Sequence, residues 1–236
     1  YTHNPLRDLP AIPVAQYYPY IFSPEQIEKL LRSIKARFPD NKQNDLVHAS
    51  VYLSILLMAR CGLRISEPSR ILVKHYCQNE GTIYIEKTKF QNDRLIPVPK
   101  SVLFELDNYL IIRNSTKIKK KNPYLLVDSK QNPLSANKIY ELFRQAVKDF
   151  GVHETKRKLG NNTFGAPTPH CLRHSFAVNT LNRIKERGES IWDALPILAI
   201  YMGHRKICTT TRYLTVLNAE QRQDLLDFIL SNQGIL

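Results

Sequence analysis

No stretch of the 236-residue sequence offers the run of about 18 apolar residues that a membrane-spanning helix needs. The chain also opens without a charged segment followed by an apolar leader. Internal repeats and low-complexity tracts are absent as well. We therefore expect a soluble, cytoplasmic protein. The hydrophobic share of 43% is enough for one large domain or two small ones.

Paired cysteine motifs are missing too, because the four cysteines show no C-x-x-C spacing and lie in apolar or helical stretches. They are Cys61, Cys77, Cys171 and Cys208. We expect reduced thiols, as in an intracellular protein. Cys171 with His170 and His174 resembles half of a zinc site, but no second ligand pair stands at a finger-like distance. The sequence therefore predicts no zinc site.

Acidic residues are scarce. The chain has 21 Asp and Glu against 34 Lys and Arg, which gives a formal net charge of +13 and a sequence pI near 9.6. Such an excess favours a polyanionic partner, nucleic acid first and an acidic membrane surface second. The carboxylates form no cluster that would hold Mg²⁺.

Most of the chain carries helical patterns. Ser23 with a capping-box Gln26 marks one helix start and Ser135 marks another, while Gly62 marks a helix end. Pro196 predicts a bend in a later helix, or its true start. The predicted helices begin near residues 24, 46, 101, 136, 169, 191, 209 and 218, and a short one is predicted from a Ser66 cap to about Val73.

Two β-branched, alternating runs at residues 82–87 and 93–98 predict a hairpin with Lys89 near its tip. Pro97 favours an edge position. We therefore predict a mainly α fold with a small antiparallel β-hairpin, an α+β arrangement. The segment 152–166 is predicted to be a mobile insertion.

The centre of the sequence is the helix that starts at Thr168 and Pro169, a hydroxyl cap followed by a first-turn proline. On this helix His170, Arg173 and His174 occupy positions i, i+3 and i+4 and share one face. A fixed cation and two imidazoles at a helix N-terminus are suited to binding an anion.

Other candidate residues lie far apart along the chain. Arg64 follows a predicted helix, and Glu67 is placed to steady its guanidinium group by hydrogen bonding. His204 and Tyr213 are nine residues apart, so a single continuous helix would hold them about 13 Å apart on opposite faces. A turn between them is required if they share a site.

In chain order, these residues resemble the motifs of the catalytic domain of tyrosine recombinases, the phage-integrase family of DNA-breaking and rejoining enzymes. The resemblance covers roughly residues 23–230. Its motifs are Gly62-Leu63-Arg64-Ile65-Ser66-Glu67, Thr88-Lys89 with Arg94-Leu95-Ile96-Pro97, His170-Cys171-Leu172-Arg173-His174-Ser175-Phe176-Ala177, Gly203-His204 and Tyr213.

The resemblance implies a site-specific recombinase of integrase or transposase type, with Tyr213 as the nucleophile. Arg64 and Arg173 would hold the non-bridging phosphate oxygens, with His204 adding a donor. His170 would be the base and Lys89 the acid for the leaving 5′ oxygen. Glu67 and His174 would support these groups. The product would be a 3′-phosphotyrosine bond, formed without metal, ATP or another cofactor.

The resemblance also implies an organisation. Residues 1–22 are expected to be the linker from an N-terminal DNA-binding domain that this chain lacks, and residues 23–236 the catalytic domain. The terminal helix 218–230 would pass to a neighbouring subunit in a homo-tetramer on double-stranded DNA. We expect a nucleoid-associated protein whose basic residues contact the DNA backbone. These are Lys117, Lys119, Lys120, Lys121, Lys156, Arg157, Lys158, Arg205 and Lys206.

Two alternatives stay open. A type IB topoisomerase would share the fold and the nucleophile but work as a single clamp, relaxing supercoils without strand exchange. A DNA-binding module that has lost catalysis would be indifferent to loss of the Tyr213 hydroxyl.

Overall fold

The computed structural model describes residues 16–38, 42–86, 93–115, 122–152 and 155–217, with the backbone alone for residues 42–45. Several predictions therefore lie outside the described residues. They concern Lys89, Lys117, Lys119, Lys120, Lys121 and the helix at 218–230.

The described chain is mainly helical, as the patterns predict. The helices are α1 (Pro24–Ala36), α2 (Lys42–Cys61), α3 (Lys100–Ser115), α4 (Ala136–Asp149), α5 (Pro169–Glu186), α6 (Ile191–Met202) and α7 (residues 208–217). Among the described helices, none is both long and apolar enough to cross a bilayer.

Helix α2 lies at the centre of the fold. It packs against α1, α3, α4 and α5. Leu53, Ile55, Leu57 and Met58 are all at most 1% exposed, so α2 is buried on more than one face, as its nearly continuous apolar sequence requires. The helix ends at Gly62, whose φ of 63° is a conformation that a residue with a side chain rarely adopts. Arg64 therefore leaves the core just past this turn.

The predicted helix starts are largely confirmed. The Ser23 hydroxyl accepts from the Gln26 amide at 3.2 Å, and the Gln26 side chain accepts in return from the Ser23 amide at 2.9 Å. Ser135 caps α4 in the same position. Thr168 does not cap α5, because its hydroxyl lies 3.2 Å from the Cys171 thiol instead.

One sheet consists of β2 (Tyr76–Cys77), β3 (Thr82–Ile85) and β4 (Arg94–Pro97), in that order, with antiparallel pairing. Thr82 pairs with Pro97 and Ile85 with Arg94, which confirms the predicted hairpin. In the described residues β4 is an edge strand, the position that Pro97 favours.

A second sheet was not predicted. Strands β5 (Arg157–Leu159) and β6 (Asn162–Phe164) form an antiparallel hairpin, and β1 (Gln16–Tyr18) adds in parallel to β6. The prediction of a mobile insertion at 152–166 is therefore wrong for this hairpin. Its partner strand β1 lies almost 150 residues away along the chain, and local sequence patterns do not reveal such a pairing.

The described part of the expected linker packs on the domain. The β1 strand pairs with β6, and Phe22 is completely buried. The Phe22 amide donates to the Ser175 hydroxyl of α5 at 2.7 Å, and its carbonyl accepts from the Asn179 side chain at 3.1 Å. Residues 16–22 are thus attached to the helix that carries the candidate site.

Helices α5, α6 and α7 share a smaller core that includes Leu181, Leu198, Met202, Tyr213 and Leu217. Helix α6 begins at Ile191, so the proline at 196 lies inside it and does not mark its start. The helix ends at Gly203, and α7 begins five residues later. The predicted turn between His204 and Tyr213 is therefore present.

Candidate active site

The ends of α2 and α6, the start of α5 and helix α7 surround a cavity of about 610 Å³. Eight of the residues predicted from the sequence line this cavity, although they are spread over some 150 positions. They are Arg64, His170, Arg173, His174, His204, Arg205, Lys206 and Tyr213.

Arg173 is the most deeply buried cation of the site, with 2% of its surface exposed. It projects from the first turns of α5. Its Nη1 donates to the Gly62 carbonyl and its Nη2 to the Met202 carbonyl, both at 2.5 Å. The side chain thereby joins the end of α2 to the end of α6. Burial, together with the charge of Arg64, lowers the pKa of Arg173, but a guanidinium remains a cation at neutral pH.

Arg64 lies beside it and is held by two kinds of acceptor. Nη1 donates to the Glu67 carboxylate at 2.9 Å, and Nη2 donates to the Gly203 carbonyl at 2.8 Å. The Arg64 backbone amide bonds the other Glu67 oxygen at 2.8 Å. The expected hydrogen bond between Glu67 and Arg64 is present.

Arg94, the first residue of β4, was assigned no role from the sequence. This side chain is 8% exposed and donates to both Glu67 oxygens, from Nη1 at 3.1 Å and from Nη2 at 2.9 Å. Burial alone would raise the pKa of Glu67, but the bonds and charge of Arg94 outweigh it and hold that pKa below its usual value. Alternation along the strand could have predicted this position, because it places Arg94 on the same inward face of β4 as Ile96.

Three guanidinium groups meet at the C-terminus of α6. Arg94 Nε donates to the Tyr201 carbonyl at 2.8 Å, while Arg173 and Arg64 bond the next two carbonyls. The last carbonyls of a helix have no partner within it, and they form the negative end of its dipole. The turn that carries His204 is consequently fixed by positive charge.

Tyr213 reaches the same cavity from α7 and is 5% exposed. Its hydroxyl lies 3.2 Å from Nδ1 of His174, within hydrogen-bond distance. His170 does not make this contact. Its ring lies 4.6 Å from the His174 ring, centroid to centroid. Burial raises the pKa of Tyr213, although Arg173 and Arg64 act in the opposite direction.

The imidazole groups of the site are neutral at physiological pH. Burial, followed by the neighbouring His170 and Arg173, lowers the pKa of His174 to about 3. Burial and the charges of Arg173 and Arg64 lower the pKa of His204 to about 4, and the same three causes act on His170. A neutral imidazole accepts a proton at one nitrogen and donates at the other.

His204 has a partner that the sequence analysis missed. Its Nδ1 lies 2.7 Å from the hydroxyl of Thr210, which is completely buried at the start of α7. Thr210 thereby links the α6–α7 turn to the helix of Tyr213.

Comparison with known proteins places this arrangement in a family. The model of the phage integrase family matches residues 21–220, most of the chain. The chain belongs to the phage integrase family.

The relatives that match this chain include proteins named as recombinases or resolvases. The tyrosine recombinase XerA of Pyrococcus horikoshii is 33% identical over 174 residues, 72% of this chain and 52% of that protein. XerA of Pyrococcus furiosus is 30% identical over 223 residues, 91% of this chain and 65% of that protein. A TnP I resolvase of Bacillus thuringiensis is 28% identical, over 79% of this chain and 54% of that protein. The chain thus spans between half and two thirds of these relatives.

Solved structures share the fold. A crystal structure of XerA recombinase aligns with a TM-score of 0.64 at 20% identity, over 92% of this chain and 66% of that one. XerH site-specific recombinase, bound to its difH substrate before cleavage, aligns with a TM-score of 0.63 at 23% identity, over 84% of this chain and 51% of that one.

The described basic residues that were predicted to contact the DNA backbone lie at two places in this phage integrase family member. Arg205 and Lys206 line the cavity, while the exposed Lys156, Arg157 and Lys158 lie on or beside β5. The same sheet contributes Tyr17 to the cavity wall, which the sequence analysis did not foresee.

No metal centre is indicated by the described residues. Cys171, part of the half zinc site that was considered, is 2% exposed and contacts Thr168. Within the described ranges no group of three or more His, Cys, Asp and Glu side chains is arranged to hold an ion.

Proposed function

We propose that this member of the phage integrase family is a site-specific DNA recombinase that cleaves and rejoins duplex DNA through a phosphotyrosine at Tyr213. The observation that carries the proposal is the Tyr213 hydroxyl in a cavity that also contains two guanidinium groups. Arg64 and Arg173 come from different helices, and nothing in the packing of an apolar core requires them to share a cavity with a tyrosine.

The two arginines are proposed to stabilise the charge that builds up on phosphorus. Each guanidinium has five N–H groups. The bonds described above use two from Arg173 and two from Arg64, so each side chain keeps donors for a non-bridging oxygen. By analogy with oxyanion holes, one such donor contributes about 3–4 kcal/mol to the transition state.

Proton transfer starts at Tyr213, whose buried phenol needs an acceptor. His174 lies at hydrogen-bond distance, and the negative charge of a bound phosphate would raise its pKa from the low value given above, so we assign the first acceptance to it. His170, the base implied by the resemblance, is proposed to orient the His174 ring from its position at the rim. Lys89 remains the proposed acid.

The proposed step balances without a co-reactant. The phenolic oxygen forms a bond to phosphorus as the bond from phosphorus to the 5′ oxygen breaks, and the 5′ oxygen takes up a proton. The products are a 3′-phosphotyrosine and a free 5′ hydroxyl. Because the new bond keeps the energy of the old one, rejoining to another 5′ hydroxyl needs no ATP, and the guanidinium groups take the role a metal ion has elsewhere.

Double-stranded DNA is the proposed partner. XerH is described as bound to its difH substrate, and a lambda integrase dimer as bound to a core site. The formal charge of +13 and the exposed cations beside β5 support a polyanion here as well. A nucleoid-associated homo-tetramer that exchanges the helix at 218–230, with residues 1–22 as a linker from a further domain, stays part of the proposal.

Trapping a covalent adduct tests this function. The protein is incubated with a library of nicked suicide duplexes that carry a randomised core, and denaturing gels report adducts. The wild type should form them and Tyr213→Phe should not, whereas Tyr140→Phe, an exposed tyrosine of α4, should behave as the wild type. An adduct that survives Tyr213→Phe would place the nucleophile elsewhere.

A plasmid assay run beside the adduct assay separates the alternatives. Relaxation of supercoiled plasmid without strand exchange between duplexes would favour a topoisomerase. DNA binding with no adduct in the wild type would favour a module without catalysis.

A further inference from the structure

Arg94 is a buried guanidinium that the chemistry proposed above does not use. It is 8% exposed, and Nε, Nη1 and Nη2 all donate to groups of the protein. It is absent from the residues that line the cavity. Among the described residues Arg94 is thus turned towards the protein and away from the cavity, and we expect its effect on the reaction to pass through its partners.

The first partner is the Glu67 carboxylate, which Arg94 shares with Arg64. One Glu67 oxygen accepts from Nη1 of both arginines, and the other accepts from Arg94 Nη2 and the Arg64 backbone amide. A carboxylate has about four acceptor positions, so all of them are occupied. Without Arg94, Glu67 would lose half of these bonds and could turn, taking the Arg64 guanidinium with it.

The second partner is the end of α6. Arg94 bonds the Tyr201 carbonyl, and its Nη1 lies so close to Gly203 that a Cβ there would come within 3.0 Å of it. Gly203 has a φ of 65° and presents its carbonyl to Arg64. Arg94 thus fixes both the acid that holds one Nη of Arg64 and the turn that holds the other.

The charges favour the same arrangement. Arg64 and Arg94 would repel each other across Glu67 if that acid were neutral or absent. One buried carboxylate between two guanidinium groups leaves a net positive charge on the side that faces the cavity. Arg94 is also the first residue of β4, so its bonds to Glu67 and Tyr201 join the hairpin to the site.

We propose that Arg94 is a positioning residue, which holds the Arg64 guanidinium in place for the scissile phosphate through Glu67 and the C-terminal turn of α6. The inference rests on the proposed function, since it needs a phosphate for Arg64 to bind. It goes further by naming a side chain that never touches DNA and yet sets the cleavage rate.

The test begins with Arg94→Gln and single-turnover cleavage of a duplex recovered from the library. Active-site titration corrects the rate for any misfolded fraction. We expect a rate about 100-fold lower, the cost of a displacement of roughly 1 Å in a catalytic group, with the DNA dissociation constant changed less than about 2-fold. Arg37→Gln, which breaks an exposed pair with Asp149, is the matched control and should cleave as the wild type.

Two further measurements distinguish positioning from a loss of stability. In an Arg64→Ala background, Arg94→Gln should slow cleavage less than about 3-fold, because its effect passes through the missing side chain. On a methylphosphonate duplex, whose scissile phosphate lacks one charged oxygen, the defect of Arg94→Gln should shrink in parallel with that of Arg64→Ala. Val102→Ala, a core change in α3, should lower stability without either signature.

Each outcome has one interpretation. The proposal would be overturned if the rate defects of Arg64→Ala and Arg94→Gln multiplied in the double variant. It would also be overturned if the full defect of Arg94→Gln persisted on the methylphosphonate duplex, or if Arg94→Gln cleaved at the wild-type rate. A wild-type protein that forms no adduct would instead refute the proposed function, so the two failures are distinguishable.

Discussion

Replacing Arg173 by lysine separates the geometry of this side chain from its charge. Lysine keeps a cation on α5 but cannot bridge the Gly62 and Met202 carbonyls as the planar fork does. One charge-assisted bond is lost, and one buried carbonyl loses its partner. Since hydrogen bonds to charged groups contribute about 1.5–3 kcal/mol, we expect the free energy of unfolding to fall by about 2–4 kcal/mol.

Urea denaturation measures this loss. Arg183→Lys, an exposed position on the same helix, is the matched control and should change the free energy of unfolding by less than about 0.5 kcal/mol. Below the melting transition, cleavage by Arg173→Lys should be slower by two to three orders of magnitude, as for loss of an oxyanion donor. A variant as stable as the control would refute the reasoning from the buried bridge, and full activity would refute the role on phosphate.

The free energy of unfolding should decrease as the pH falls from about 6.5 towards 4. His174 and His204, with pKa values of about 3 and 4, stay unprotonated in the folded state, whereas their imidazoles in the unfolded chain bind protons near pH 6.5. In urea titrations His174→Gln should make this pH dependence shallower, and an unchanged dependence would contradict the prediction. The same variant should slow adduct formation by about 10²–10⁴ if His174 accepts the Tyr213 proton, and equal rates would exclude that role. Lys158→Ala should reduce the salt dependence of DNA binding by about 0.9 in log–log slope, and an unaffected slope would remove this lysine from the backbone contacts.

Signals confined to one helix predicted the structure well. The capping box at Ser23, the helix end at Gly62 and the i, i+3, i+4 spacing of α5 depend on residues within a few positions of each other, and all three are present. The second sheet, in contrast, was not predicted. The β5–β6 hairpin is completed by β1 from the other end of the chain, a pairing that local composition does not encode.

The same distinction holds within the site. The motif residues carried their own sequence signal, so the cavity could be anticipated. The supporting contacts could not, because Arg94 reaches Glu67 across 27 positions and Tyr201 across 107. The contact to the phenol is a similar case: the resemblance implies His170 as the base, while the imidazole within hydrogen-bond distance of the Tyr213 hydroxyl is that of His174, on a different helix.

The central claim is that the Tyr213 oxygen joins to the cleaved strand, and peptide mapping of the trapped adduct tests it most directly. Trypsin cleavage after Arg212 and Arg222 leaves residues 213–222, in which Tyr213 is the only tyrosine. After nuclease trimming, mass spectrometry should find the nucleotide phosphate on this peptide, at Tyr213. A phosphonucleotide on any other peptide, or on a threonine of this one, would contradict the account.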